Sequence, residues 1–81
     1  MEITRYLVNS YVANQNYNDA GWSAHFVYIL SNEIDYYKAI RSALGDGVAR
    51  VRIMESEKVS ILKKFTGMEF MSAALRRRYR L

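Results

Sequence analysis

The amino-acid sequence predicts an α+β domain, in which helices pack on one face of a small antiparallel sheet of about three strands, in the order ββαβαα. Two runs rich in β-branched and aromatic residues, residues 3–13 and Trp22–Leu30, flank a polar loop and predict the first two strands. Apolar residues then recur at helical spacing, and a third alternating run covers residues 48–54. The 81 residues have room for a single domain, residues 1–81, with one thin core.

The first two predicted strands differ in how their apolar residues alternate. In the first strand, apolar side chains fall on both faces: Tyr6, Val8 and Val12 on one, and Ile3, Leu7 and Tyr11 on the other. We therefore expect this strand to be covered on both sides, or to offer its second face to a partner. In the second strand, one face carries Trp22, Ala24, Phe26, Tyr28 and Leu30. The simplest arrangement is an antiparallel hairpin with a loop over residues 14–21.

The predicted first helix follows this hairpin. Ser31 or Asn32 is expected to cap it, with Glu33 and Asp35 at the positive end of its dipole and Gly45 at its end. The residues expected to face the sheet are Ile34, Tyr37, Ile40 and Leu44. In the strand over residues 48–54, the side chains of Ala49, Val51 and Ile53 point one way, and those of Arg50 and Arg52 point the other way.

The C-terminal third predicts two further helices. Ser56 starts the first, with an apolar stripe of Val59, Leu62 and Phe65. Thr66 and Glu69 match a capping box and start the second, with a stripe of Met68, Met71 and Leu75 that ends in arginines. Two alternatives stay open: a single kinked helix over residues 56–80, and a strand in place of the helix over residues 58–65.

Composition restricts the chemistry that the chain can perform. It has no cysteine and no proline, so disulfide frameworks, thiolate metal sites and cysteine nucleophiles are excluded. Its longest uncharged apolar run, Trp22–Leu30, is far too short to span a membrane, and the N-terminus lacks the pattern of a secretory signal. We therefore expect a protein of a reducing, cytoplasmic compartment that does not act at a membrane.

Candidate catalytic groups are few. His25 is the one histidine and shares a strand face with Ser23, but no nucleophile motif supports a catalytic pair. The acidic pairs Glu33/Asp35 and Glu55/Glu57 both fall at predicted helix starts, where acidic residues favour the dipole. No metal-ligand spacing and no glycine-rich phosphate loop occur. We expect no cofactor, no metal and no enzymatic activity.

Charge and aromatic content favour a binding function. Residues 50–81 hold nine basic and three acidic residues, whereas residues 1–49 hold three basic and five acidic ones. A basic pole of this kind suits an anionic partner. The candidate binding residues are Arg50, Arg52, Arg76, Arg77, Arg78, Tyr79, Arg80, Tyr36, Tyr11 and Tyr17. The aromatic residues expected in the core are Trp22, Phe26, Tyr28 and Tyr37.

The small size and the lack of motifs resemble phage or mobile-element proteins that inhibit host machinery by docking, such as anti-CRISPR proteins. This resemblance covers no motif and transfers no residue roles. The sequence favours a non-enzymatic protein that docks on a larger macromolecular target, a protein or nucleoprotein complex. The alternative is a DNA- or RNA-binding accessory protein that uses the C-terminal arginine cluster. A homodimer paired through Met68, Met71 and Leu75 is a further hypothesis.

Overall fold

The computed structural model describes residues 2–12, 22–45, 47–59 and 70–79. The elements in chain order are β1 (Ile3–Val12), β2 (Trp22–Leu30), α1 (Tyr36–Leu44), β3 (Val48–Val59), β4 (Phe70–Met71) and α2 (Ala73–Tyr79). The predicted loop over residues 14–21, the stripe positions Leu62, Phe65 and Met68, and the capping box from Thr66 to Glu69 lie outside the described residues. The α+β class is confirmed, and the elements of the described residues run in the order ββαββα, which differs from the predicted ββαβαα.

The four strands form one mixed sheet in the order β3-β1-β2-β4. The predicted hairpin is confirmed: β1 pairs antiparallel with β2, with Tyr6 opposite Val27 and Val8 opposite His25. β3 pairs antiparallel with the other side of β1, and β4 adds a short parallel strand beside Val27 and Tyr28. The expectation of a purely antiparallel sheet of three strands is therefore wrong in these details.

β3 continues beyond the predicted end of the third strand. Residues 56–59 pair with residues 3–6 of β1, so the helix predicted to start at Ser56 is wrong. The sequence around Ser56 favours the start of a helix. Hydrogen bonding with β1 makes these residues part of a strand instead, since tertiary pairing overrides intrinsic propensity. A register shift between Leu7 and Val8 of β1 marks a bulge in this pairing.

α2 begins later than predicted. Phe70 and Met71 belong to β4, and the Ser72 hydroxyl accepts a hydrogen bond from the backbone N–H of Leu75, which makes Ser72 the cap of the helix. Met71 and Leu75 are buried in the core of their own chain. These two side chains are therefore not exposed as a stripe that a second copy could use.

The core divides between the two faces of the sheet. One cluster contains Val8, Val27, Ile29 and Ile40 and is covered by α1. The other contains Ile3, Tyr28, Leu30, Met71 and Leu75 and is covered by α2. Because successive residues of β2 alternate between the two clusters, the helices do not share one face, which corrects the prediction. We call the α1 side the covered face.

The start of α1 differs from the prediction, whereas its end agrees. Asp35 is the cap, and its carboxylate accepts a hydrogen bond from the backbone N–H of Lys38 at 3.0 Å. Ile34 precedes the helix and is 97% exposed, so it does not face the sheet. Gly45 closes the helix with φ of 107°, a conformation that favours glycine. Ile40 is fully buried against the sheet, as predicted.

Two side chains of α1 attach it to the edge strand β3. The Arg41 guanidinium donates to the carbonyl of Val48 at 2.9 Å, and the Tyr37 hydroxyl donates to the carbonyl of Val51 at 3.2 Å. These bonds satisfy backbone acceptors on a strand that has a sheet neighbour on one side only. Within the described residues, no helix is both long and apolar enough to cross a membrane.

Candidate binding face

The side of the sheet opposite α1 is only partly covered. α2 packs over its end at Ile3, Tyr28 and Leu30. Beyond this end, the strands carry a second set of side chains that no described helix covers. We call this set the open face: Arg5, Leu7, Asn9 and Tyr11 of β1, Trp22, Ala24 and Phe26 of β2, and Arg50, Arg52, Glu55 and Glu57 of β3.

Aromatic rings and guanidinium groups contact one another along the open face. The guanidinium carbon of Arg52 lies 5.1 Å from the centre of the Trp22 ring, and the Tyr11 and Trp22 ring centres are 5.4 Å apart at a tilt of 56°. The guanidinium carbon of Arg5 lies 4.6 Å from the centre of the Phe26 ring. Trp22 is 43% exposed and Phe26 is 38% exposed. Cation–π attraction therefore holds these rings in place without burying them.

The charges of the open face are neutralised at one end only. Arg5 forms an ion pair with Glu57 at 3.0 Å. Hydrogen bonding to Tyr28 raises the pKa of Arg5, with a further contribution from Glu57 and an opposing one from burial. Arg50 and Arg52, opposite Tyr11 and Asn9 of β1, form no ion pair with another described residue. The end of the face with Tyr11 and Trp22 is therefore positively charged.

The C-terminal arginines lie elsewhere. Arg76, Arg77 and Arg78 are exposed on α2, which packs at the Ile3 end of the sheet. Arg77 lines a groove of about 390 Å³ between α1 and α2, together with Glu33, Asp35 and Lys38. Along β1, the partners of Arg50 and Arg52 are six to eight residues from Ile3, which is roughly 20–27 Å at the usual rise of a strand. The two arginine groups of the predicted basic pole therefore lie at different ends of the sheet.

The tyrosines that were predicted to bind a partner also lie on different parts of the molecule. Tyr11 is on the open face, whereas Tyr36 is on α1 and stacks on Tyr6, with ring centres 5.7 Å apart and planes within 5°. Tyr36 is about half exposed, as predicted. Tyr17, Arg80 and the side chain of Tyr79 lie outside the described residues.

Three of the four aromatic residues predicted to be core are exposed. Only Tyr28 is buried, whereas Trp22, Phe26 and Tyr37 each expose more than a third of their surface. The physical reason for Trp22 and Phe26 is the short reach of α2, which covers the Leu30 end of their strand face and leaves the Trp22 end open. Trp22, Phe26 and Arg5 were therefore not among the binding residues predicted from the sequence. Strand alternation predicted that both rings share one face of the second strand, and the register of β1 and β2 puts Tyr11 on the same side of the sheet.

The candidate catalytic groups have structural contacts. The His25 ring meets the Phe70 ring edge-on at 5.2 Å, and no hydrogen bond joins it to Ser23. Glu33 is not placed for the helix dipole: its carboxylate accepts from the backbone N–H of Leu30 and from the Ser72 hydroxyl, each at 2.7 Å. Glu55 and Glu57 belong to β3, so their predicted place at a helix start is wrong.

Potential metal ligands are dispersed in the described part of the chain. Across residues 2–12, 22–45, 47–59 and 70–79, no three His, Asp or Glu side chains come together in a group that could hold a metal ion. The side chains that do converge on the open face are aromatic rings and guanidinium groups, which are suited to binding rather than to acid–base chemistry.

Comparison with protein-family models, with curated proteins and with solved structures found no match.

Proposed function

We propose that this chain is a non-enzymatic binding protein that docks on a larger macromolecular target, a protein or nucleoprotein complex, through the open face of its sheet. An inhibitor of host machinery, encoded by a phage or mobile element, is the specific form of the proposal that its small size suggests. The observation that carries the proposal is the row of half-exposed rings, Trp22 and Phe26, each held by a guanidinium group.

The residue types on this face are those that dominate binding energies. Trp, Tyr and Arg are enriched among the residues whose truncation most weakens protein interfaces. Here Trp22, Tyr11 and Arg52 form one contact group. Since the ring is held by its neighbours before a partner arrives, less side-chain freedom is lost on binding than for an unsupported ring. The face therefore combines large contact groups with a fixed arrangement.

The test compares variants in target binding. The tagged chain is expressed in its native host, the co-purifying target is isolated, and its affinity for purified chain is measured. We expect Trp22→Ala to weaken binding by about 30-fold or more, as for a central interface residue. Lys38→Gln on α1 is the matched control, because Lys38 is exposed away from the open face. Unchanged target affinity for both Trp22→Ala and Arg52→Gln would contradict the proposal.

A second candidate is direct binding of DNA or RNA by the C-terminal arginines. It is favoured by the exposure of Arg76, Arg77 and Arg78, none of which forms an ion pair with another described residue. Phosphate contacts by these arginines would make the affinity fall steeply with salt, and neutralising one of them would reduce the slope by about 0.7–0.9. A slope unchanged in Arg76→Gln, Arg77→Gln and Arg78→Gln would remove this candidate.

A further inference from the structure

We infer that the open face binds single-stranded nucleic acid, with a base stacked on the Trp22–Arg52 pair and the phosphate backbone beside Arg50. The inference rests on the proposed function, since it names the component of the target that the open face contacts. It differs from the second candidate in its location, because α2 and its arginines lie at the other end of the sheet.

The charge distribution on the open face indicates an anionic partner at one end. Arg50 and Arg52 have no ion pair with another described residue, whereas Arg5 is paired with Glu57. The two acidic residues of the face, Glu55 and Glu57, lie opposite Leu7 and Arg5, toward the end that α2 covers. An anionic chain would therefore be drawn to the end with Trp22 and repelled from the end with Glu55.

The exposed rings of the open face favour a partner with flat groups. Nucleobases stack on aromatic rings and on the plane of an arginine guanidinium. The Arg52 guanidinium already lies over the Trp22 ring, and the Tyr11 ring contacts the same indole at a tilt of 56°. Phe26 and Arg5 form a second pair four residues along the same strand, at about 13 Å for an extended strand. The second pair lies beside Glu57, where an anionic chain is repelled, so the Trp22–Arg52 pair is the stacking position. An acidic peptide would use the charges of this end but not its ring.

The shape of the face favours a single strand over a duplex. At the Trp22 end, the open face is three strands wide, β3, β1 and β2, whereas the major groove of B-DNA admits a ribbon of two strands. A duplex also keeps its bases stacked inside, so that the rings of Trp22 and Phe26 would meet only backbone. Unpaired bases can turn toward a flat sheet and stack on it.

The experiment measures binding of a labelled single strand of about 12 nucleotides, as DNA and as RNA, by fluorescence anisotropy between about 50 and 200 mM salt. The duplex of the same sequence is the comparison ligand. We expect Trp22→Ala to weaken single-strand binding about 5- to 150-fold. We expect Arg50→Gln, which removes the phosphate contact, to reduce the slope of log affinity against log salt by about 0.7.

Arg76→Gln is the matched control, because it removes the same charge from an exposed position on α2. Arg76 follows Leu75, which packs with Ile3, and Ile3 is six residues of β1, roughly 20 Å, from the residue opposite Arg52. This separation exceeds a screening length of about 10 Å, so we expect the affinity of Arg76→Gln to stay within about twofold of the wild type. Arg50→Gln and Arg52→Gln alter exposed side chains, so they test the inference even if Trp22→Ala fails to fold. A melting curve of each variant identifies that failure.

Several outcomes would overturn the inference, and they differ in what they leave standing. If no oligonucleotide binds at 50 mM salt while the open-face variants still lose their target, the inference is wrong and the proposed function remains. If the open-face variants bind the target and the oligonucleotide as tightly as the wild type does, the inference and the proposed function are both wrong. If Arg76→Gln loses as much affinity as Arg52→Gln, the C-terminal arginines carry the binding. If light scattering shows a dimer that Trp22→Ala dissociates, a second copy occupies the face.

Discussion

The covered face and the open face of the sheet are built by alternate residues of the same strands, yet they differ in kind. Under α1, the fully buried residues are aliphatic: Val8, Val27 and Ile29 pack with Ile40, whereas the aromatic side chains in this cluster are only partly buried. On the open face, Trp22 and Phe26 stay exposed beside Arg52 and Arg5. β-Strand alternation gives each strand two independent surfaces: α1 covers the first, whereas α2 covers only the Ile3 end of the second and leaves the Trp22 end exposed.

The difference shows how side-chain chemistry decides which surface remains open. An aliphatic side chain gains free energy on leaving water but has no specific partner on a surface. An indole ring can be stabilised at the surface by a guanidinium group, which adds about 0.5–1 kcal/mol at an exposed site. Exposure of Trp22 is therefore tolerated while its ring remains available for a partner.

The largest expected effect comes from Ile40→Ala on the covered face. Ile40 is fully buried between the sheet and α1, so truncation should lower the free energy of unfolding by about 2–5 kcal/mol. Ile40→Val, expected to cost about 0.5–1.5 kcal/mol, keeps the effect measurable if the alanine variant does not fold. Urea denaturation followed by circular dichroism measures both.

Trp22→Ala is the matched change on the open face. Although it removes a larger side chain, we expect a loss of about 1 kcal/mol or less, because Trp22 is 43% exposed and its contacts are with surface side chains. Equal losses for Trp22→Ala and Ile40→Ala would contradict the division of the sheet into a covered face and an open face.

Ser72 connects the elements that cover the two faces, and its removal should have the next largest effect. Its hydroxyl donates to the Glu33 carboxylate, which also accepts from the backbone N–H of Leu30. Ser72 is 1% exposed and caps α2. Ser72→Ala leaves a half-buried carboxylate without one donor and should destabilise the fold by about 1–3 kcal/mol. Thermal melting measures this loss.

Ser42→Ala on the exposed side of α1 is the comparison for this serine substitution. A surface change of this kind should alter the free energy of unfolding by no more than about 0.5 kcal/mol. If Ser42→Ala and Ser72→Ala had the same melting temperature, the Glu33 contacts would not couple α2 to the sheet.

The sequence is sufficient to predict elements that depend on local periodicity. The alternation of Trp22–Leu30 predicts both the bounds of β2 and the residues that share its faces. The turn at Gly45 and the burial of Ile40 also follow from local signals, since a glycine cap and helical spacing act within a few residues.

The rest depends on contacts between distant parts of the chain. Ser56 carries a helix-start signal, and only pairing with β1, some fifty residues earlier, makes it a strand residue. β4 is two residues long and has no periodicity to detect. The exposure of Trp22 is set by where α2 ends its cover of the sheet, which the pattern of β2 does not contain. Thus, alternation predicts the face of a strand on which a residue lies, whereas its burial depends on the element that packs on that face.

A smaller effect is expected from Glu57→Gln, which removes the ion pair with Arg5 on the open face. Both side chains are partly exposed, so the pair should contribute about 0–1 kcal/mol and less at high salt. Glu55→Gln is the matched control, because Glu55 is on the same face and has no ion pair with another described residue. A loss for Glu57→Gln as large as that for Ser72→Ala would show that the open face also holds the fold together.

The smallest expected effect is a pH dependence on the covered face. Burial raises the pKa of the Tyr6 phenol, and the neighbouring Tyr36 raises it further. The folded state therefore holds the phenol proton of Tyr6 more tightly than the unfolded state does. This difference contributes its full free energy to stability below the unfolded pKa of about 10, and the contribution is lost as the pH rises through the folded pKa. From pH 8 to 11, the urea midpoint of the wild type should therefore fall more than that of Tyr6→Phe. If the urea midpoints of the two proteins fell equally with pH, the phenol of Tyr6 would be solvated in the folded state. In that case α1 would not cover β1 at this position.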